Sequence, residues 1–347
     1  MKKKLLYEVS IIRPLVIFLL IVYHAVCIYG GVWTPVNNVQ IPLYDLLMRI
    51  ISGFRIETIA LVAGYVYSYQ FLDLNRRFEL KSFVIKKIKR LIIPCLFFGI
   101  LYYFIILYDS SNFSFWRFVY ELTNGVGHLW FLPMLFWCFL GIWVLTHKKF
   151  NEKITIIVLF FISLIPRLYL PFGLSLVPHF MFFFYAGFLL YKYKSFVISI
   201  LNKKKYIVLL ALSYFIFLYT QIFLASWYAS STWDEIFILK LIYKVILNLI
   251  KDITISSGIL VLWLIVCRWI SKPSYKISER TIWYSSICYG VYVYHQFILK
   301  YLYYKTSLPE VVGAYWLPWL AILITLLVSL LFTHYTLKTK IGRYLIG

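Results

Sequence analysis

Arg13 and His24 stand eleven residues apart in the apolar run IIRPLVIFLLIVYHAVCIYG. At about 100° per residue that spacing closes roughly three helical turns, so both side chains share one face, about 16 Å apart along the axis. A histidine so placed suits general-base chemistry on a hydroxyl, and an arginine at the other end suits a phosphate. Pro14 fits the first turn of a helix starting near Arg13, where its missing N–H costs nothing. Each residue also has a purely structural use: Arg13 could snorkel to lipid phosphates, and His24 could be a satisfied core histidine.

Further ionisable residues lie in similar surroundings. FRIETIALVAGY carries Arg55 and Glu57, GHLWFLPML carries His128 and Trp130, and SSICYGVYVYHQ carries His295. A carboxylate in lipid is costly unless paired, so Glu57 is expected to meet Arg55, a histidine or a substrate hydroxyl. Either Glu57 or His295 would orient His24, and a carboxylate would also steady the imidazolium that forms when the base takes a proton. Arg55, His128 and Trp130 are read as substrate contacts, whereas His179 and His334 are read as structural. In FVIKKIKRLIIPCLF, Lys87 and Arg90 are at i and i+3 and share a face leading into the membrane. With Arg13 they would form a cationic mouth for a polyanionic ligand; an ordinary positive-inside cluster is the alternative.

The elements that must position these groups are membrane helices. Of 347 residues, 63% are hydrophobic and 14% charged, too few polar groups to cover a soluble globule. The net charge of +22 does not point to nucleic acid, because basic residues gather in connectors between apolar runs of bilayer length. Apolar stretches at 11–29, 53–72, 88–108, 129–145, 154–170, 174–191, 206–225, 253–269, 282–303 and 315–335 predict about ten transmembrane helices. The expected fold class is therefore an all-α polytopic protein, with one transmembrane domain over residues 1–347 and no separate soluble domain.

Most of the 35 lysines and arginines fall on the side of the N-terminus, which predicts that both termini are cytoplasmic. The MKKK start and its apolar run lack a small-x-small cleavage site and should remain as the first helix. Residues 233–252, with Lys240, Lys244 and Lys251 at helical spacing, read as an amphipathic helix on the outer surface, the alternative being an extra span that would reverse the orientation of everything after it. Cys27, Cys95, Cys138, Cys267 and Cys288 lie in or beside apolar runs without a C-x-x-C pair, which suggests core residues rather than a disulfide framework or metal site.

A cationic inner mouth half a bilayer from an outer histidine suits a ligand with a phosphate-rich head and a long arm ending in a reactive group. Acyl-coenzyme A is such a molecule, and a hydroxyl arriving from outside would be the second substrate. No G-x-S-x-G elbow, H-E-x-x-H or phosphate-binding glycine loop is present, so the residues permit acyl transfer without singling it out. A transporter or flippase of lipid-linked sugars would also use buried cations and aromatics, although no duplicated halves are visible. A non-catalytic scaffold is a third reading.

Over essentially its whole length the chain resembles integral-membrane acyltransferase family 3. The resemblance rests on the arginine, ten residues, histidine pattern of Arg13 and His24, on FRIETIALVAGYVYS, on KKIKRLIIP, on GHLWFLPML and on SICYGVYVYHQ. It implies acylation of sugars or surface polysaccharides from cytoplasmic acyl-CoA, most simply O-acetylation from acetyl-CoA in a bacterial cytoplasmic membrane, with no permanently bound cofactor. His24 would be the catalytic base, Arg13 would serve donor binding or activation, and Lys87 with Arg90 would contact coenzyme A phosphates. Glu57 stands where the family favours proline, Ala63 where it favours serine, and Lys87 where it has the first arginine of R-x-x-R. Some relatives append a periplasmic hydrolase-like domain; this chain is expected to finish the transfer itself or to hand over to separate glycan-assembly proteins.

Overall fold

The computed structural model of the protein describes residues 6–36, 39–76, 79–201, 203–229 and 237–347, with no strand among them. In chain order the helices are α1 (Tyr7–Val26), α2 (Pro42–Ser52), α3 (Arg55–Leu72), α4 (Leu80–Leu107), α5 (Phe115–Asn124), α6 (Gly127–His147) and α7 (Glu152–Ser163). They continue with α8 (Leu174–Lys192), α9 (Lys194–Leu201), α10 (Lys204–Ala229), α11 (Phe237–Ile270), α12 (Glu279–Tyr304), α13 (Leu317–Lys338) and α14 (Lys340–Ile346). The protein is all-α and polytopic. Each of the ten apolar stretches falls on a helix, the fifth only as far as Ser163, because Pro166 disfavours helical backbone at the residue before it.

Seven of these helices, among the described residues, are long and apolar enough to cross a membrane. Of the other three on expected spans, α7 has only 12 residues, while α3 and α13's neighbour α12 are diluted by the polar and tyrosine side chains that they carry inward. Arg55, Glu57 and His295 belong to these two helices.

α1 is central and touches α2, α3, α11, α12 and α13. It starts at Tyr7, not at Arg13, because buried Glu8 accepts hydrogen bonds from Tyr65 and from Lys194, the latter at 2.5 Å. That anchor holds the first turns and puts Pro14 inside the helix rather than in its first turn. α3 and α8 pack almost backbone to backbone. A Cβ on Gly64 would run into the carbonyl oxygen of Phe184, and one on Gly187 into that of Leu61, so small residues set this close approach.

The expected outer-surface helix at 233–252 is not a separate element. Residues 230–236 lie outside the described residues, but from Phe237 one helix runs unbroken to Ile270, antiparallel beside α10. No proline or glycine interrupts it at Asp252, and the Asp252 side chain is buried against α7 and α8, which carries the helix inward. At about 1.5 Å per residue its 34 residues exceed a bilayer's hydrocarbon thickness of about 30 Å. All five cysteines are buried and free.

Replacing Gly187 by leucine should force α3 and α8 apart and cost about 3 kcal/mol or more. Lowered melting temperature of the detergent-solubilised variant would show it; an unchanged melt would mean the contact is dispensable.

Candidate functional site

The centre of the site is a pair of histidines from α1 and α12. His24 Nδ1 and His295 Nε2 are 3.0 Å apart, and His295 Nδ1 lies 2.6 Å from the carbonyl oxygen of Tyr292. A carbonyl only accepts, so His295 carries its proton on Nδ1 and offers Nε2 as an acceptor. His24 therefore donates from Nδ1, which leaves its Nε2 as the basic nitrogen. Trp33 stacks on the His24 ring at 5.5 Å and 11°, fixing its plane. His295 is fully buried and His24 is 8% exposed.

Around this pair the loop before α6 is drawn in by Gln296. Its Oε1 accepts from the backbone N–H of His128 at 2.8 Å and from Tyr102 at 3.2 Å, and lies 2.9 Å from His128 Nδ1. Gly127, with φ of 59°, allows this approach, since a Cβ there would sit 2.8 Å from that same oxygen. The Tyr292 hydroxyl donates to the His128 carbonyl at 2.6 Å, tying the loop to α12 a second time.

His24, Trp33, Tyr102, His128, Tyr292 and Gln296 line a cavity of 310 Å³ with Arg55, Trp130 and Lys300, whereas His295 does not. The Arg55 guanidinium lies 3.3 Å above the Tyr23 ring, and Lys300 lies 4.8 Å from the Trp33 ring. Arg55, His128 and Trp130 thus share one chamber with His24.

At the other end of the bundle a cavity of 930 Å³ is lined by Arg13, Arg76, Arg343 and the four basic residues of KKIKR, with no aspartate or glutamate among the described residues. Leu6 and Gly347 also line it, so both described chain ends lie there. A narrower space of 220 Å³ leads inward, sharing Arg13, Lys87 and Arg90 with this vestibule and Tyr292 with the histidine chamber.

The KKIKR segment reaches this passage through a local irregularity. Pro94 lacks the N–H that would bond the Arg90 carbonyl, and the helix widens into a π turn at Ile88–Ile92. The Tyr289 hydroxyl takes over that carbonyl at 3.0 Å. Lys87 Nζ rests 3.2 Å above the Phe139 ring.

Glu57 does not join His24. Arg55 and Glu57, two residues apart, point to nearly opposite faces of α3, and Glu57 meets His179 Nε2 at 3.2 Å. The other nitrogen of His179 faces Asp252 at 3.2 Å, and Ser163 donates to Asp252 at 2.5 Å. This second cluster joins α3, α7, α8 and α11 and lines none of the three cavities. Its physical cause is compensation: two buried carboxylates require a shared cation or donor, and the inner position of His179 supplies it.

Sequence reading passed over Trp33, Tyr102, Tyr292, Gln296, Lys300 and Arg343. Four-residue steps would have found three of them, since Tyr292, Gln296 and Lys300 recur on one face of α12 next to His295.

A family model described as an acyltransferase domain matches residues 6–336. No curated protein and no solved structure matches the chain.

The two histidine clusters should respond differently to truncation. His179→Leu strands two carboxylates without a cation and should cost about 3–5 kcal/mol, whereas His24→Leu removes one hydrogen bond and should cost about 1 kcal/mol. Chemical or thermal unfolding of both variants would test this; equal losses would contradict the division.

Proposed function

The chain belongs to membrane acyltransferase family 3, and from that premise we propose that it carries an acetyl group from cytoplasmic acetyl-CoA to a hydroxyl of a cell-surface polysaccharide or of its lipid-linked precursor. The setting of this reading is a bacterial cytoplasmic membrane, with the termini and the cationic vestibule on the cytoplasmic side. The observation that carries it is the order of the cavities: vestibule and passage share Arg13, Lys87 and Arg90, and passage and histidine chamber share Tyr292 as a common wall. A donor with a polyanionic head and a long thin arm fits that series.

In this mechanism the phosphates rest among Arg13, Lys87 and Arg90, and the thioester arrives beside Tyr292. The acceptor hydroxyl enters the chamber between Trp33 and Trp130. His24 Nε2 takes the hydroxyl proton as the oxygen attacks the thioester carbonyl carbon, forming the C–O bond. The C–S bond then breaks, and the proton passes from His24 to the departing sulfur, which leaves as the thiol. His295 acts as a positioning residue that holds the productive tautomer of His24. Exclusion of water by the surrounding helices keeps the thioester from hydrolysis.

Two outcomes test the reading. His24→Gln should lower acetyl transfer by about 10³-fold with coenzyme A binding retained; normal turnover by the purified variant would refute the mechanism. Lys87→Gln combined with Arg90→Gln should raise KM for acetyl-CoA by about 10- to 100-fold with kcat largely kept, as steady-state kinetics would show. An unchanged KM would move the donor site elsewhere.

A further inference from the structure

The histidine chamber has an electrostatic imbalance. Arg55 and Lys300 line it with His24 and His128, and no aspartate or glutamate does so among the described residues. Neither cation forms an ion pair among the described residues; each rests on aromatic faces, Arg55 on Tyr23 and Lys300 on Trp33 and Tyr304. The Arg55 Nε is buried without a hydrogen-bond partner. The carboxylate nearest in sequence, Glu57, is turned away onto His179.

Proton transfer makes this imbalance worse. When His24 takes a proton it becomes a third cation beside Arg55 and Lys300, and its partner His295 is neutral and offers only a lone pair. In a Ser-His-Asp arrangement a buried carboxylate answers that charge. Here the protein supplies none, so the missing negative charge must come with a substrate.

We propose that the acceptor is an acidic saccharide whose anionic group, a sugar carboxylate or a phosphate, sits between Arg55 and Lys300. Its ring lies against Trp33 and Trp130, and its hydroxyl reaches His24. A neutral sugar site normally offers carboxylates and amides to hydroxyl groups; this chamber offers guanidinium, ammonium and aromatic faces, and the oxygen of its amide, Gln296, is already committed to His128 and Tyr102. The inference rests on the acyl-transfer reading for the hydroxyl's fate, but the charge preference is a property of the chamber itself.

The test is calorimetric titration of the full chain in nanodiscs with three probes: octyl glucuronide, octyl glucoside 6-phosphate and octyl glucoside. At least one acidic probe should bind about 10- to 100-fold tighter than the neutral one, and comparison of the two acidic probes distinguishes carboxylate from phosphate. The double variant Arg55→Gln with Lys300→Gln should lose the preference, while Arg55→Lys with Lys300→Arg, which keeps both charges, should retain it; matching melting curves check that both fold. Equal binding of neutral and acidic probes, no binding of either acidic probe, or a preference that survives the glutamine variant would overturn the proposal. Failure of the wild-type protein to consume acetyl-CoA, with the acidic preference intact, would strike the acyl-transfer reading alone.

Discussion

A polar side chain inside a membrane bundle must find its hydrogen-bond partners within the protein, because lipid offers none. The bond from His24 to His295 is the clearest consequence of that constraint here. It crosses from α1 to α12, and its far end is closed by the Tyr292 carbonyl. The Tyr292 hydroxyl and Gln296 in turn hold the His128 loop. One chain of donors and acceptors therefore sets the protonation pattern, the position of the loop before α6, and the wall shared by passage and chamber. In the irregular backbone after Gly125, Gln296 and Tyr292 satisfy the N–H and carbonyl of His128.

The second cluster does the structural counterpart. Glu57, His179, Asp252 and Ser163 fasten four helices together, and Glu57 sits one half-turn from Arg55 on α3. Locking Glu57 fixes that first turn and so fixes the guanidinium over Tyr23. The close glycine contacts at Gly64 and Gly187 hold the remainder of α3 against α8. Positioning of Arg55 is thus delegated to residues that line no cavity.

Much of this was legible before the structure, for a definable reason. Arg13 and His24 lie on one rigid element, and a helix converts spacing into a shared face without help from any neighbour. The apolar lengths located the helices for the same reason. The partner of Glu57 was not legible, because the choice among His24, His179 and Arg55 depends on which helix packs beside α3, and close packing there is set by two glycines more than a hundred residues apart. Asp252 was hidden as well: the lysines around it read as a surface helix, while its burial depends on Ser163 and His179 arriving from distant segments. Pro94 and the π turn could be suspected from sequence, but the rescue of the Arg90 carbonyl by Tyr289 could not.

A histidine in place of a carboxylate beside His24 has an energetic rationale in a membrane. A permanently ionised acid at that depth would have to be desolvated and paired in the resting protein, at a cost of several kcal/mol per ion. A neutral imidazole fixes the tautomer through the same hydrogen bond without adding a buried charge. In the proposed mechanism the arrangement gives up the electrostatic support that a carboxylate would lend the imidazolium, and leaves that charge to be answered by the anionic group proposed for the acceptor.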